Sequence, residues 1–273
     1  MARLVAALLL VAAAAQQKPP EYAEAMKKVA ARFKGKEGVV LHLGDSITYA
    51  NPYSSWARYG QGKTPEDQAV LKWMHCGAKD DTDGWHLASV DRPGGRSETA
   101  ASGVRSDEYL KGGKGGLPSL AEILKKYNPQ MAVVMLGTND ASANRPMAQY
   151  RENMVQIVDA LLANGTIPIL STIPPHPSRE ELAKSYNAAI QEICREKKVP
   201  MVDYGGEILR RRPGDWNGTL LAKNDVHPTA SQGGAQAGSE PSENNLKNSG
   251  YLLRGWLSVK KIGEVRQWVL GGK

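Results

Sequence analysis

Two regimes of apolar and polar positions organise most of this 273-residue chain. Short apolar, partly β-branched runs at 38–43, 131–136, 167–172 and 200–203 predict buried strands. Between them apolar residues recur at helical spacing, as with Met154, Ile157, Val158 and Leu161 in a helix predicted over 147–163. Further helices are predicted over 20–34, where Tyr22, Met26, Val29 and Phe33 share a face, and over 117–127, 178–197 and 249–269. Strands alternating with helices of this length make βαβ units and a parallel sheet. The pattern breaks between about 53 and 116, a stretch rich in Gly, Asp, Trp and Arg that reads as an irregular insertion with one strand near Thr99. No internal repeat is visible.

The first residues follow a different rule. Met1-Ala2-Arg3 leads into an unbroken run of apolar and small residues ending in Ala13-x-Ala15, then Gln16-Gln17-Lys18-Pro19-Pro20. One positive charge, a short apolar stretch and a small-residue exit predict a secretory signal peptide over 1–15, leaving a single domain over 16–273. The run is too short to span a bilayer, so the mature chain is expected to be secreted or periplasmic and free of the membrane.

Composition is that of an ordinary globular protein, with 41% hydrophobic and 23% charged residues. A single Phe among 6% aromatic residues argues mildly against a deep apolar site for long acyl chains. The formal charge of +7 is scattered, and Arg210-Arg211-Arg212 is the one dense basic run. Without a helix-turn-helix or RNA-binding motif this reads as a solvated face, compatible with an acidic polysaccharide, and no nucleic-acid partner is expected. The two cysteines, Cys76 and Cys194, allow one bridge in an oxidising compartment. Cys194 follows Ile190 by four residues on an apolar helical face, which equally suits a buried free thiol.

In open parallel sheets, chemistry collects beyond the carboxyl ends of the strands, and three segments fall there. Gly44-Asp45-Ser46 follows the first strand and can present a hydroxyl at the sheet rim. Gly137-Thr138-Asn139-Asp140 follows the strand at 131–136, where an Asn side-chain NH₂ can meet a developing oxyanion. Asn224-Asp225-Val226-His227-Pro228 precedes the last helix and offers a general base with acidic company. Taken singly, these are a turn, a cap and a structural histidine. There is no G-x-S-x-G nucleophile elbow. Lys111 to Gly116 lacks the Lys-Ser/Thr of a phosphate loop, and Asp80-Asp81-Thr82-Asp83-Gly84 has Lys79 at the first calcium-ligand position. No metal or cofactor is expected.

In this order the three segments resemble the SGNH hydrolases, also called GDSL esterases and lipases, from about Val39 to Thr229. The resemblance implies an α/β fold: a flavodoxin-like three-layer α/β/α domain with a mostly parallel sheet of about five strands. It implies Ser46 as nucleophile, His227 as base and Asp225 as its orienter, with the Ser46 and Gly103 N–H groups and the Asn139 amide forming the oxyanion hole. Gly103 is carried over from Ala100-Ala101-Ser102-Gly103-Val104, which is similar to the run in the rhamnogalacturonan acetylesterase branch; Gly94-Gly95 is the competing choice. The last block departs from the family, which has Asp three residues before His where this chain has Asn224. Asp225, Asn224 or a backbone carbonyl therefore stands as the partner of His227. The implied function is a secreted serine esterase acting on short, chiefly acetyl, esters of a carbohydrate, with Trp56, Trp73 or Trp85 as candidate sugar platforms. The alternatives are a lipase, thioesterase or lysophospholipase of the same family, or an inactive glycan-binding protein on the same fold. Oligomeric state and host stay open, and with the host the use of the Asn164 and Asn217 glycosylation sequons.

Overall fold

The computed structural model describes residues 18–89 and 95–272, and the signal peptide expected at 1–15 lies outside them. Four strands, β1 (Val40–Gly44), β2 (Met131–Met135), β3 (Ile167–Ser171) and β4 (Met201–Val202), form one parallel sheet in the order β1-β2-β3-β4. Every residue of the first three is buried. Strands covered on both faces read as continuous apolar runs, the pattern seen in the sequence.

The fifth strand expected near Thr99 shortens to one parallel bridge between Gly44 and Ala100, on the edge of β1 away from β2. Gly44 N–H donates to Thr99 O at 3.4 Å and Ala101 N–H to Gly44 O at 3.2 Å. The chain then turns, Val104 N–H reaching Ala101 O with Gly103 at φ +73°, and pairing stops. With this bridge in second place the sequential order across the sheet is 2-1-3-4-5, the flavodoxin-like arrangement.

The helices are α1 (Ala23–Ala30), α2 (Ser46–Tyr49), α3 (Pro52–Tyr59), α4 (Pro65–Trp73), α5 (Gly84–Ala88), α6 (Ser106–Lys111), α7 (Leu120–Tyr127), α8 (Thr138–Ser142), α9 (Met147–Ala163), α10 (Glu180–Lys197), α11 (Tyr204–Arg211), α12 (Glu243–Leu246) and α13 (Gly250–Leu270). They flank the sheet in two groups. Helix α13 gathers α1, α3, α4, α11 and α12, while α9 gathers α6, α7 and α10.

The stretch at 53–116, expected to be irregular, holds most of α3 and all of α4, α5 and α6. Helices α4 and α5 are set by their ends. Thr64 and Asp67 make a reciprocal capping box on α4, and Asp83 accepts from the Trp85 and His86 N–H groups to start α5. Trp56 and Trp85 are buried in the core. Trp73 donates to Glu37, a residue that precedes β1, at the opposite end of the strand from Ser46. Buried Trp56 and Trp85 offer no ring face to a sugar, and Trp73 sits at the far end of β1, a correction to the sugar-stacking expectation. Cys76 and Cys194 are free thiols, Cys194 buried, and burial pushes both up to about 12.

Candidate active site

The site starts where β1 ends. A Cβ on Gly44 would stand 2.7 Å from Met135 O and closer still to Thr48 Oγ1, so only glycine lets the strand end this close to α2 and β2. Asp45 then caps α2, accepting from Ile47 N–H at 3.0 Å. Ser46 is the first residue of that four-residue helix.

The second loop begins at Gly137, whose φ of +130° suits glycine, and where a Cβ would meet Tyr150 Oη at 2.8 Å. Asn139 follows in α8. Its Nδ2 donates to Asp45 Oδ2 at 3.2 Å and to Val104 O at 3.1 Å. This ties together the ends of β1 and β2 and the turn that carries Gly103. The reversal of strand order between β1 and β2 is where such folds open a crevice. Gly103 thus lies between a residue bonded to Gly44 and one bonded to Asn139. The alternative pair is divided: Gly94 lies outside the described residues.

The third loop carries His227. His227 Nε2 stands 2.9 Å from Ser46 Oγ, and its Nδ1 2.8 Å from Asp225 Oδ1. Asp225 Oδ1 also accepts from the Val226 and His227 N–H groups, which locks its rotamer. Partial burial pushes the Asp225 carboxyl up, but the hydrogen bond and charge of the His227 imidazole, with the two backbone N–H groups, outweigh it and hold the carboxyl below its ordinary range. An ionised Asp225 only accepts, so Nδ1 carries the proton and Nε2 is left to accept from the serine hydroxyl. The sequence left three partners for His227; the contact is with Asp225. Asn224 sits in a tight turn at φ +59° and exchanges hydrogen bonds with Asn217 instead.

The sequence motifs assign Asp45 no role. It is fully buried, and desolvation pushes its carboxyl up to about 6 against the pull of the Ile47 N–H bond and of Arg254. Its two oxygens join the turn at Ser46 to Asn139. Asp140, also buried, accepts from Ser106 N–H and Oγ and anchors α8 to α6. A second Ser-His contact, Ser142 Oγ to His176 Nε2 at 2.9 Å, is saturated. Ser178 N–H donates to His176 Nδ1, so Nε2 carries the proton and donates to Ser142, whose hydroxyl goes on to Thr138 O. That serine has no base.

The basic run is tied down as well. Arg210 pairs with Glu207, Arg211 with Glu207 and Glu243, and Arg212 with Asp215, which removes it as a free docking patch. Among the described residues no group of three or more His, Cys, Asp or Glu could hold a metal ion, and no helix is long and apolar enough to cross a membrane.

A profile of the GDSL-like lipase/acylhydrolase family matches residues 42–232, and no curated protein matches the chain. Solved structures with the same fold include an acetyl esterase mutant with an acetate ion (TM-score 0.54, 16% identity, 86% of this chain and 99% of the other). A catalytic mutant of an acetylxylan esterase from Geobacillus stearothermophilus has TM-score 0.52 and 16% identity over 85% of this chain and 97% of the other. A GDSL-like lipase from Bacteroides thetaiotaomicron gives 0.50 and 19% over 88% and 96%. At these identities the likeness speaks for the fold.

Proposed function

Because the chain belongs to the GDSL-like lipase/acylhydrolase family and is a carboxylic ester hydrolase, we propose that it is an exported serine esterase that removes short acyl groups, acetyl above all, from a carbohydrate. The observation that carries this reading is the unbroken hydrogen-bond chain from Ser46 Oγ through His227 to Asp225. Ser46 Oγ attacks the ester carbonyl as its proton passes to His227 Nε2, and Asp225 stabilises the imidazolium that results. The Ser46 and Gly103 N–H groups and Asn139 Nδ2 hold the tetrahedral oxyanion. Both Asn139 amide hydrogens are engaged in the resting site, so one is shared with or given over to the oxyanion. His227 then returns its proton to the leaving alcohol, and a water activated by the same base releases the acid.

The short-acyl preference draws support from what surrounds the site. His227 and Asp225 side chains are 40% and 50% exposed, an open rim suited to a polymer. Among the described residues Tyr59 is the one large hydrophobic side chain that is strongly exposed. A long acyl chain is usually enclosed in an apolar cleft, whereas the exposure of His227 and Asp225 marks an open rim. Export rests on the leader pattern at 1–15, and the carbohydrate on the open rim together with export. The Asp225 contact removes the departure at Asn224 as an argument for an inactive glycan-binding protein.

Hydrolysis of p-nitrophenyl acetate and p-nitrophenyl octanoate by the chain without residues 1–15, and by Ser46→Ala, tests the reading. Acetate turnover that vanishes in the variant is expected, followed by acetate release from acetylated xylan or pectin. A preference for octanoate would move the assignment to a lipase or thioesterase.

A further inference from the structure

Helix α2 is a single turn, too short to hold its own direction, since isolated helices of this length are unstable in water. Its first end is fixed by Asp45. Its other end is fixed from across the molecule by Arg254 of α13, which is 2% exposed. Arg254 Nη1 donates to Ile47 O at 2.7 Å and Nη2 to Thr48 Oγ1 at 2.8 Å. These are the two residues directly after Ser46.

The guanidinium is itself held rigidly. Its Cζ lies over the Tyr53 ring, 3.7 Å from the centroid. Tyr53 Oη meets His42 Nδ1 at 3.1 Å and Ser258 Oγ at 2.9 Å. Ser258 in turn donates to Arg254 O. Trp85 stacks on His42 at 3.7 Å between centroids, and burial and then the Arg254 charge keep His42 neutral. A buried guanidinium is costly to maintain, and here its donors go to the nucleophile turn.

The same helix grips the loop of the base. One turn before Arg254, Tyr251 N–H donates to Thr229 O and Gly250 N–H to Thr229 Oγ1, two residues after His227. Four residues of helix span about 6 Å, so α13 acts as one ruler touching both halves of the catalytic pair.

Resting on the esterase reading above, we propose that Arg254 is a positioning residue that sets the Ser46 hydroxyl and N–H in register with His227. It touches neither substrate nor the reacting atoms. Its loss is expected to lower kcat and leave KM almost unchanged, because the open rim that would bind the sugar is untouched.

The test uses the full mature chain and two variants. Arg254→Lys keeps the buried charge but replaces the rigid planar pair of Nη donors with a single nitrogen. Thr48→Val leaves Arg254 in place and removes one of its acceptors. Each is measured for thermal unfolding, for kcat and KM on p-nitrophenyl acetate, and for the rate of Ser46 labelling by a fluorophosphonate. The expected result is a folded protein with kcat and labelling rate reduced about 10- to 100-fold, as misplacement by about an ångström does, and KM within twofold. Two folded variants with wild-type kcat and labelling rate would overturn the proposal. So would a loss expressed in KM alone. Failure of the wild type itself to label or turn over would instead refute the esterase reading, and this inference with it.

Discussion

Replacing Asp225 separates the orienting contact from the sequence pattern that surrounds it. In Asp225→Asn an acceptor oxygen can stay beside His227 Nδ1, 2.8 Å away in the native protein, so the tautomer can be kept while the charge is lost. Two unit charges about 4 Å apart attract by about 1 kcal/mol in water and about 4 kcal/mol at an effective dielectric of 20. The Asp225 side chain is 50% exposed, so the solvent-screened end of that range applies, about 1–2 kcal/mol. The variant should therefore lose about 5- to 30-fold in kcat. Asp225→Ala also removes the acceptor of the Val226 and His227 N–H groups, so the imidazole loses both tautomer and direction. A drop of about 10³-fold or more is expected. Asn224→Gly should stay within about twofold, since glycine accepts the φ of +59° and the Asn224 side chain faces Asn217. For the same reason Asn224→Asp should not rescue Asp225→Ala. Initial rates on p-nitrophenyl acetate at pH 7.5, with circular dichroism to check folding, decide the matter. Activity in Asp225→Ala above half of wild type, or a loss in Asn224→Gly as large as in Asp225→Ala, would refute the assignment of Asp225.

Three further outcomes follow from the geometry. Asn139→Ala should lower kcat about 10²- to 10³-fold with little change in KM, the usual cost of an oxyanion donor, measured on the same substrate. Asp45 gives a pH signature. Burial moves its carboxyl from 3.8 to about 6, so the folded state binds this proton more tightly than the unfolded chain. Its contribution is fully favourable below about pH 4 and lost as pH rises through about 6, a change of about 3 kcal/mol. Urea unfolding at pH 4 to 7 should show the stability difference between wild type and Asp45→Asn changing by that order, and a constant difference would contradict it. Gly44→Ala forces a methyl against Met135 O and Thr48; it should cost about 1–3 kcal/mol or more and displace Ser46, read as a lower melting temperature and lost fluorophosphonate labelling.

The long helices and buried strands were legible because each carries a periodic or continuous apolar signal. The helix predicted at 147–163 matches α9 residue for residue. The bridge at Gly44 and Ala100 was over-read as a strand because apolar character says where a chain is buried, not how many rungs it pairs. Helices α3 to α6 were missed because tertiary packing decides them, α3 and α4 against α13, α5 against β1 and α6 against α9, with side-chain caps starting α4 and α5. Asp45 could have been found as the capping residue ahead of a helix. Arg254 had a fainter signal, one charge inside Tyr251-Leu252-Leu253-Arg254-Gly255-Trp256-Leu257.

The parallel α/β scaffold follows from local patterns in the chain, as does the placing of Ser46 and Asn139 just past β1 and β2 and of His227 in a loop ahead of the last helix. Strand burial and helical periodicity are local properties, and motifs of this kind are contiguous in the chain. Tertiary structure decided what those motifs could not. It brought His227 across 181 residues to Ser46, gave the orienting contact to Asp225, and turned Asn224 toward Asn217. It also set Asp45 against Asn139 and ran Arg254 under the turn at Ser46. These are hydrogen bonds between segments far apart in the chain, whose lengths and partners depend on how the helices seat against the sheet.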